Sequence, residues 1–121
     1  MKLYLDIDGV LLHTKEDKAA EHAAELIEYI TSEFDCYWLT THCKGDTEHA
    51  VKYLSEYFQK DIVEKLSKIK PTYWETLKTE AIDFDSNFIW LEDYPFQAEK
   101  EVLRNFAASE SLYIVNLNRE D

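Results

Sequence analysis

The apolar run Met1-Lys2-Leu3-Tyr4-Leu5 leads straight into Asp6-Ile7-Asp8-Gly9-Val10-Leu11, two carboxylates one residue apart at the mouth of a turn. The run is nearly continuous rather than alternating, as expected of a strand buried on both faces of a parallel sheet. A buried strand that delivers carboxylates to its own end suits a particular chemistry. One carboxylate can attack phosphorus, the other can move a proton, and a divalent cation can sit between them.

Three more apolar runs, Cys36 to Thr40, Phe88 to Leu91 and Leu112 to Val115, read as strands of the same kind, with a weaker fifth near Asp61 to Val63. Between them, apolar residues recur at helical spacing: Ala19, Ala23, Leu26, Ile27 and Ile30; Ala50, Leu54, Tyr57 and Phe58; Val102, Leu103, Phe106 and Ala107. Each set predicts one buried stripe on a helix. Thr72 and Glu75 form a T-x-x-E capping box, which predicts a further helix with Lys78 near its second turn. Alternating strands and helices imply an α/β three-layer sandwich around a mostly parallel, Rossmann-type sheet with right-handed crossovers. Ligands in such sheets bind beyond the carboxyl ends of the strands, where Asp6, Thr40 and Asp93 all fall.

At 121 residues, with only two glycines, two prolines, no linker and no repeat, the chain predicts a single domain over 1–121. No apolar stretch approaches the ~20 residues of a membrane helix, and the first residues do not look like a secretion signal, so a cytoplasmic location is expected. Cys36 and Cys43 are too few for a disulfide framework or a four-ligand zinc site, and free thiols are expected. The formal charge of -12 disfavours nucleic acid, whose binding rests on lysine and arginine against phosphates. A small phosphorylated ligand is compatible with that charge, because a bound cation reverses the local field of a carboxylate cluster.

The string Asp6-Ile7-Asp8-Gly9-Val10-Leu11 resembles motif I of the haloacid dehalogenase-like (HAD) hydrolase superfamily. Thr40, Lys78 and the acidic pair Glu92-Asp93 follow in that superfamily's order. The resemblance implies a Mg²⁺-dependent phosphatase acting through an aspartyl-phosphate. In it, Asp6 is the nucleophile, and Asp8 is the general acid and base whose backbone carbonyl ligates the metal. Thr40, or its neighbour Thr41, donates a hydroxyl to a phosphoryl oxygen, and Lys78 steadies Asp6 and the phosphate. Asp93 is the preferred direct Mg²⁺ ligand. Glu92, a glutamate where aspartate is commoner, reaches the metal, a water or Lys78 with its longer arm. Dehalogenating members lack an acid at the position of Asp8, so phosphate ester cleavage is expected instead.

About ten residues separate Asp8 from the first helix, and 43–72 leaves no room for a full cap domain. The resemblance is therefore to the small capless type, whose open sites take macromolecular substrates or borrow a lid from another subunit of a homo-oligomer. The substrate class stays open between a small phosphorylated molecule and a phosphoprotein. Two other readings share these residues: a catalytically weak HAD-like binding or regulatory module, and a phosphotransferase with an acceptor other than water. His13 and His42 fall within reach of a substrate, although loop histidines are more often simply solvated. Trp38, Trp90 and Tyr4 read as core residues.

Overall fold

The computed structural model describes residues 1–117; residues 118–121 of the expected domain lie outside them. Strands β1 (Lys2–Leu5), β2 (Asp35–Trp38), β3 (Phe88–Glu92) and β4 (Leu112–Ile114) form one sheet in the order β2-β1-β3-β4. All neighbours are parallel, with Leu5 level with Trp38 on one side and with Leu91 on the other. Helices α1 (Ala23–Glu33), α2 (Thr47–Leu54), α3 (Lys60–Leu66) and α4 (Gln97–Asn105) connect the strands. The α/β architecture expected from the apolar runs is present, with each strand within two residues of its expected bounds.

Side chains alternate across a strand, so β1 feeds two cores. Leu3 and Leu5 point into one, with Ile27 and Ile30 of α1, Leu54 of α2, and Ile62 and Leu66 of α3. Tyr4 points into the other, with Phe88 and Trp90 of β3, Ile82, Trp74 and Leu103 of α4. Each fully buried leucine or isoleucine contributes about 1.5–3 kcal/mol, which is why the strands are apolar on both faces. Trp38, Trp90 and Tyr4 are core residues as expected, at 0%, 0% and 2% exposure. Cys36 and Cys43 are buried free thiols. No helix among the described residues is long and apolar enough to cross a membrane.

Helix α1 starts at Ala23, leaving Ala19 before it, and α2 ends at Leu54, leaving Tyr57 and Phe58 beyond it. Three further local expectations are corrected. The segment Asp61 to Val63 is not a fifth strand but the middle of α3, because Ile62 and Leu66, four residues apart, bury together against α1. The outer edge of β2 is instead met by Lys70, whose N–H donates to the Cys36 carbonyl at 3.0 Å and whose carbonyl accepts from Trp38 N–H at 2.8 Å. The T-x-x-E box does not start a helix. Thr72 Oγ1 donates to the Trp38 carbonyl, a side-chain bond that competes with helix formation. The helical turn begins later, as a short 3₁₀ segment Lys78–Ala81, and Glu80 caps it by accepting from the N–H groups of Glu75, Thr76 and Leu77. Finally, α4 ends before Phe106, which is 59% exposed and stacks on Phe84 at 4.2 Å, so the stripe expected through Phe106 and Ala107 stops at Leu103.

Candidate active site

In the order β2-β1-β3-β4 the chain leaves β1 in one direction to reach β2 and crosses to the other side for β3. The crevice between β1 and β3 is therefore the switch point at which such sheets bind ligands. Asp6 follows β1 and stays tied to β3, its N–H donating to the Leu91 carbonyl at 3.2 Å. Glu92 is the last residue of β3, and Asp93 follows it. Both strands thus deliver their carboxylates to the same place.

One carboxylate oxygen from each of Asp6, Glu92 and Asp93 lies within 4.8 Å of the others. Asp6 and Glu92 are buried, whereas Asp93 is partly open to solvent. The 3₁₀ segment brings Lys78 into this group, with Nζ 2.9 Å from Glu92 Oε2 and 3.5 Å from Asp6 Oδ1. Thr40 is buried just past β2, and its hydroxyl helps hold Asp6 ionised. Asp6, Thr40, Lys78, Glu92 and Asp93, scattered through the sequence, are gathered here. Thr41 is exposed.

The electrostatics follow from burial. Glu92 is pushed up to about 8 by desolvation first and by the neighbouring Asp6 charge second, against the opposing pull of Lys78. Asp6 is raised by desolvation, against Lys78 and its hydrogen bonds. For Lys78, burial acts to lower the pKa, but Asp6 and Glu92 together outweigh it and the net shift is upward. Asp6 and Glu92 share the Lys78 ammonium, the Asp93 carboxylate lies beside them, and a proton on Glu92 relieves the surplus of negative charge.

This donor set suits a hard divalent cation, which prefers carboxylate and carbonyl oxygens. Gly9 supplies a second sign of fit. Its φ of +82° is favourable only for glycine, and a Cβ there would stand 2.1 Å from Asp93 Oδ2. The turn after β1 is thus shaped to let the Asp93 carboxylate close on the Gly9 backbone.

Asp8 lies apart from this cluster. Its carboxylate, 44% exposed, has Oδ2 2.8 Å from His42 Nε2 and Oδ1 accepting from the Tyr53 hydroxyl at 3.2 Å. His13 lines a neighbouring cavity of about 250 Å³ with Asp8, Tyr53 and Tyr57.

Comparison of the chain with protein-family models, with curated proteins and with solved structures found no match.

Sequence reasoning did not single out Tyr53 or Glu99. Tyr53 falls on the helical repeat of α2 without belonging to its apolar stripe, and only the fold brings it to Asp8, 45 positions away. Glu99 is 3% exposed and accepts from the backbone N–H of Lys78 at 2.9 Å and of Phe96 at 2.8 Å. It both caps the start of α4 and fixes the base of the Lys78 arm. A signal existed in the Glu three residues into α4, but the usual serine or threonine before it is replaced by Phe96.

Proposed function

We propose that the chain is a Mg²⁺-dependent phosphatase of the small capless HAD-like type, hydrolysing a phosphate monoester through an aspartyl-phosphate on Asp6. The observation that carries this reading is the convergence of Asp6, Glu92 and Asp93 around Lys78 at the switch point of the sheet. Asp6, Glu92, Asp93 and the Asp8 carbonyl are the groups that would hold Mg²⁺, which when bound supplies positive charge against the phosphate oxygens.

An Asp6 carboxylate oxygen attacks phosphorus, and the bond from phosphorus to the ester oxygen breaks. Asp8 gives its proton to the departing alkoxide and is left as carboxylate. Asp8 then takes a proton from water as the water oxygen attacks the aspartyl-phosphate, releasing inorganic phosphate and restoring the Asp6 carboxylate. Lys78 and the Thr40 hydroxyl offset charge on the equatorial oxygens during both displacements. An arm held at its base by Glu99 and at its tip by two carboxylates loses little further entropy on contacting phosphate.

The substrate is a small phosphorylated molecule or a phosphoprotein. The overall charge of -12 opposes a polynucleotide, and the cavity beside Asp8 is open enough to admit a side chain or a metabolite. The test is turnover of p-nitrophenyl phosphate and a panel of phosphorylated metabolites and phosphopeptides with Mg²⁺. Asp6→Asn is expected to lose at least ~10³-fold in kcat, the scale of removing a nucleophile. Equal turnover by both proteins contradicts the assignment.

A further inference from the structure

We propose that His42 and Tyr53 form a clamp that positions the Asp8 carboxylate for proton transfer to poor leaving groups. This inference rests on the phosphatase reading of Asp6 and Asp8. An aspartate side chain 44% exposed on a turn would ordinarily sample several rotamers. Here both of its oxygens are engaged, each by a different element: Oδ2 lies 2.8 Å from His42 Nε2 in the segment after β2, and Oδ1 accepts from the Tyr53 hydroxyl of α2 at 3.2 Å. Two contacts on two oxygens fix the plane of a carboxyl group as well as its position.

The two clamp residues also hold each other. Their rings stack at 4.0 Å with an interplanar angle of 12°. The His42 main chain is tied twice, its N–H donating to Thr40 Oγ1 at 3.3 Å and its carbonyl accepting from His49 Nδ1 at 2.8 Å. His49 and Tyr53 are four residues apart on α2 and so share a face. Asp46 caps that helix by accepting from Glu48 N–H at 2.9 Å. Tyr53 packs edge-on to Tyr57, whose hydroxyl donates to Asp17 in the loop after Asp8. Thr40, α2 and the turn carrying Asp8 are therefore joined through one aromatic stack. Neither ring belongs to the two strands that build the three-carboxylate cluster.

A positioned acid matters most when the departing oxygen is a poor leaving group. An alkyl phosphate needs its alkoxide protonated as the bond breaks, whereas p-nitrophenolate leaves readily without help. The clamp thus acts on the first displacement mainly for poor leaving groups, while its part in activating water in the second displacement is common to all substrates.

The experiment compares kcat and KM for p-nitrophenyl phosphate and for a simple alkyl phosphate, with Mg²⁺, in wild type, Tyr53→Phe, His42→Ala, His42→Gln and Asp6→Asn. Tyr53→Phe keeps the stacked ring and removes only the hydroxyl; His42→Gln keeps a polar group near the Nε2 position. Expected results are a loss of about 10-fold or more in kcat on the alkyl ester for Tyr53→Phe and His42→Ala, with KM within about 2-fold. In single turnover, where release of the alcohol reads the first displacement alone, losses on p-nitrophenyl phosphate stay within about 3-fold, and His42→Gln recovers part of the alkyl rate. Equal single-turnover losses on both esters, or none on either, overturn the clamp while leaving the nucleophile intact. Failure of wild type to exceed Asp6→Asn on either ester overturns the phosphatase reading and the clamp with it. Thermal melts of each variant separate misfolding from mispositioning, and the ratio of the two rates within one variant is independent of the folded fraction.

Discussion

The two ends of the sheet treat charge in opposite ways. At the amino ends, carboxylates and ammonium groups pair one to one near solvent: Lys2 with Asp83 at 2.8 Å and Lys70 with Asp35 at 2.8 Å. The hydrogen bond from Lys2 holds Asp83 down to about 2, and that from Lys70 likewise lowers Asp35. At the carboxyl ends, Asp6 and Glu92 share Lys78 with the Asp93 carboxylate close by, and burial raises Asp6 and Glu92 instead. A balanced, solvated pair adds modestly to stability and asks for nothing more. A buried cluster with surplus negative charge is held against its own repulsion, which suits a centre that takes up a cation and an anionic substrate together.

Replacing the shared lysine should separate the two ends most sharply. Lys78→Met leaves buried carboxylates without their ammonium and should destabilise the ion-free chain by about 3 kcal/mol in urea unfolding, part of it relieved by protonation of Glu92. If the loss is no larger than that of an exposed pair, the carboxyl-end cluster is not electrostatically strained.

The ends should also respond oppositely to pH. Glu92 keeps its proton to about 8 in the folded chain, against an ordinary value of 4.5. Between these values the folded state binds more protons than the unfolded one, so stability falls as pH rises. In chelator, the melting temperature should drop by roughly 5 °C or more from pH 5 to pH 8.5, and Mg²⁺ should recover much of it at the upper end. Asp83, depressed to about 2, carries the other sign: its contribution is present above about 3.8 and fades as pH falls toward 2. A melting temperature that is flat from pH 5 to pH 8.5 contradicts the assignment for Glu92.

The smallest effect belongs to the amino end. Asp83→Asn removes an exposed pair and should move the melting temperature by only about a degree or two, less in high salt, with kcat unchanged. A marked activity loss in this variant would break the contrast between the two ends.

Much of this contrast was legible in the sequence and some was not, for physical reasons. Buried parallel strands leave continuous apolar runs, so β1 to β4 and the carboxylates at their ends could be placed directly. Asp6, Thr40 and Asp93 were candidates because strand ends converge in this topology, whereas Lys78 and Glu92 were candidates only through the resemblance of the motif order to HAD hydrolases. Short helices were harder: α3 contains Ile62 and Val63, which favour strands locally, and only packing against α1 decides for helix. Thr72 has one hydroxyl and two uses for it, and the bond to Trp38 wins. The contacts of Asp8 with His42 and Tyr53, and of Glu99 with the Lys78 backbone, join residues 21 to 45 positions apart, beyond any local pattern.

The most direct test of the central claim, that these separated carboxylates and Lys78 form one Mg²⁺-dependent site centred on Asp6, is the melting temperature with beryllium fluoride, a mimic of the aspartyl-phosphate. Wild type should rise by several degrees when Mg²⁺ and beryllium fluoride are both present, more than with either alone, and Asp6→Asn should not. No rise in wild type, or an equal rise in Asp6→Asn, would contradict it.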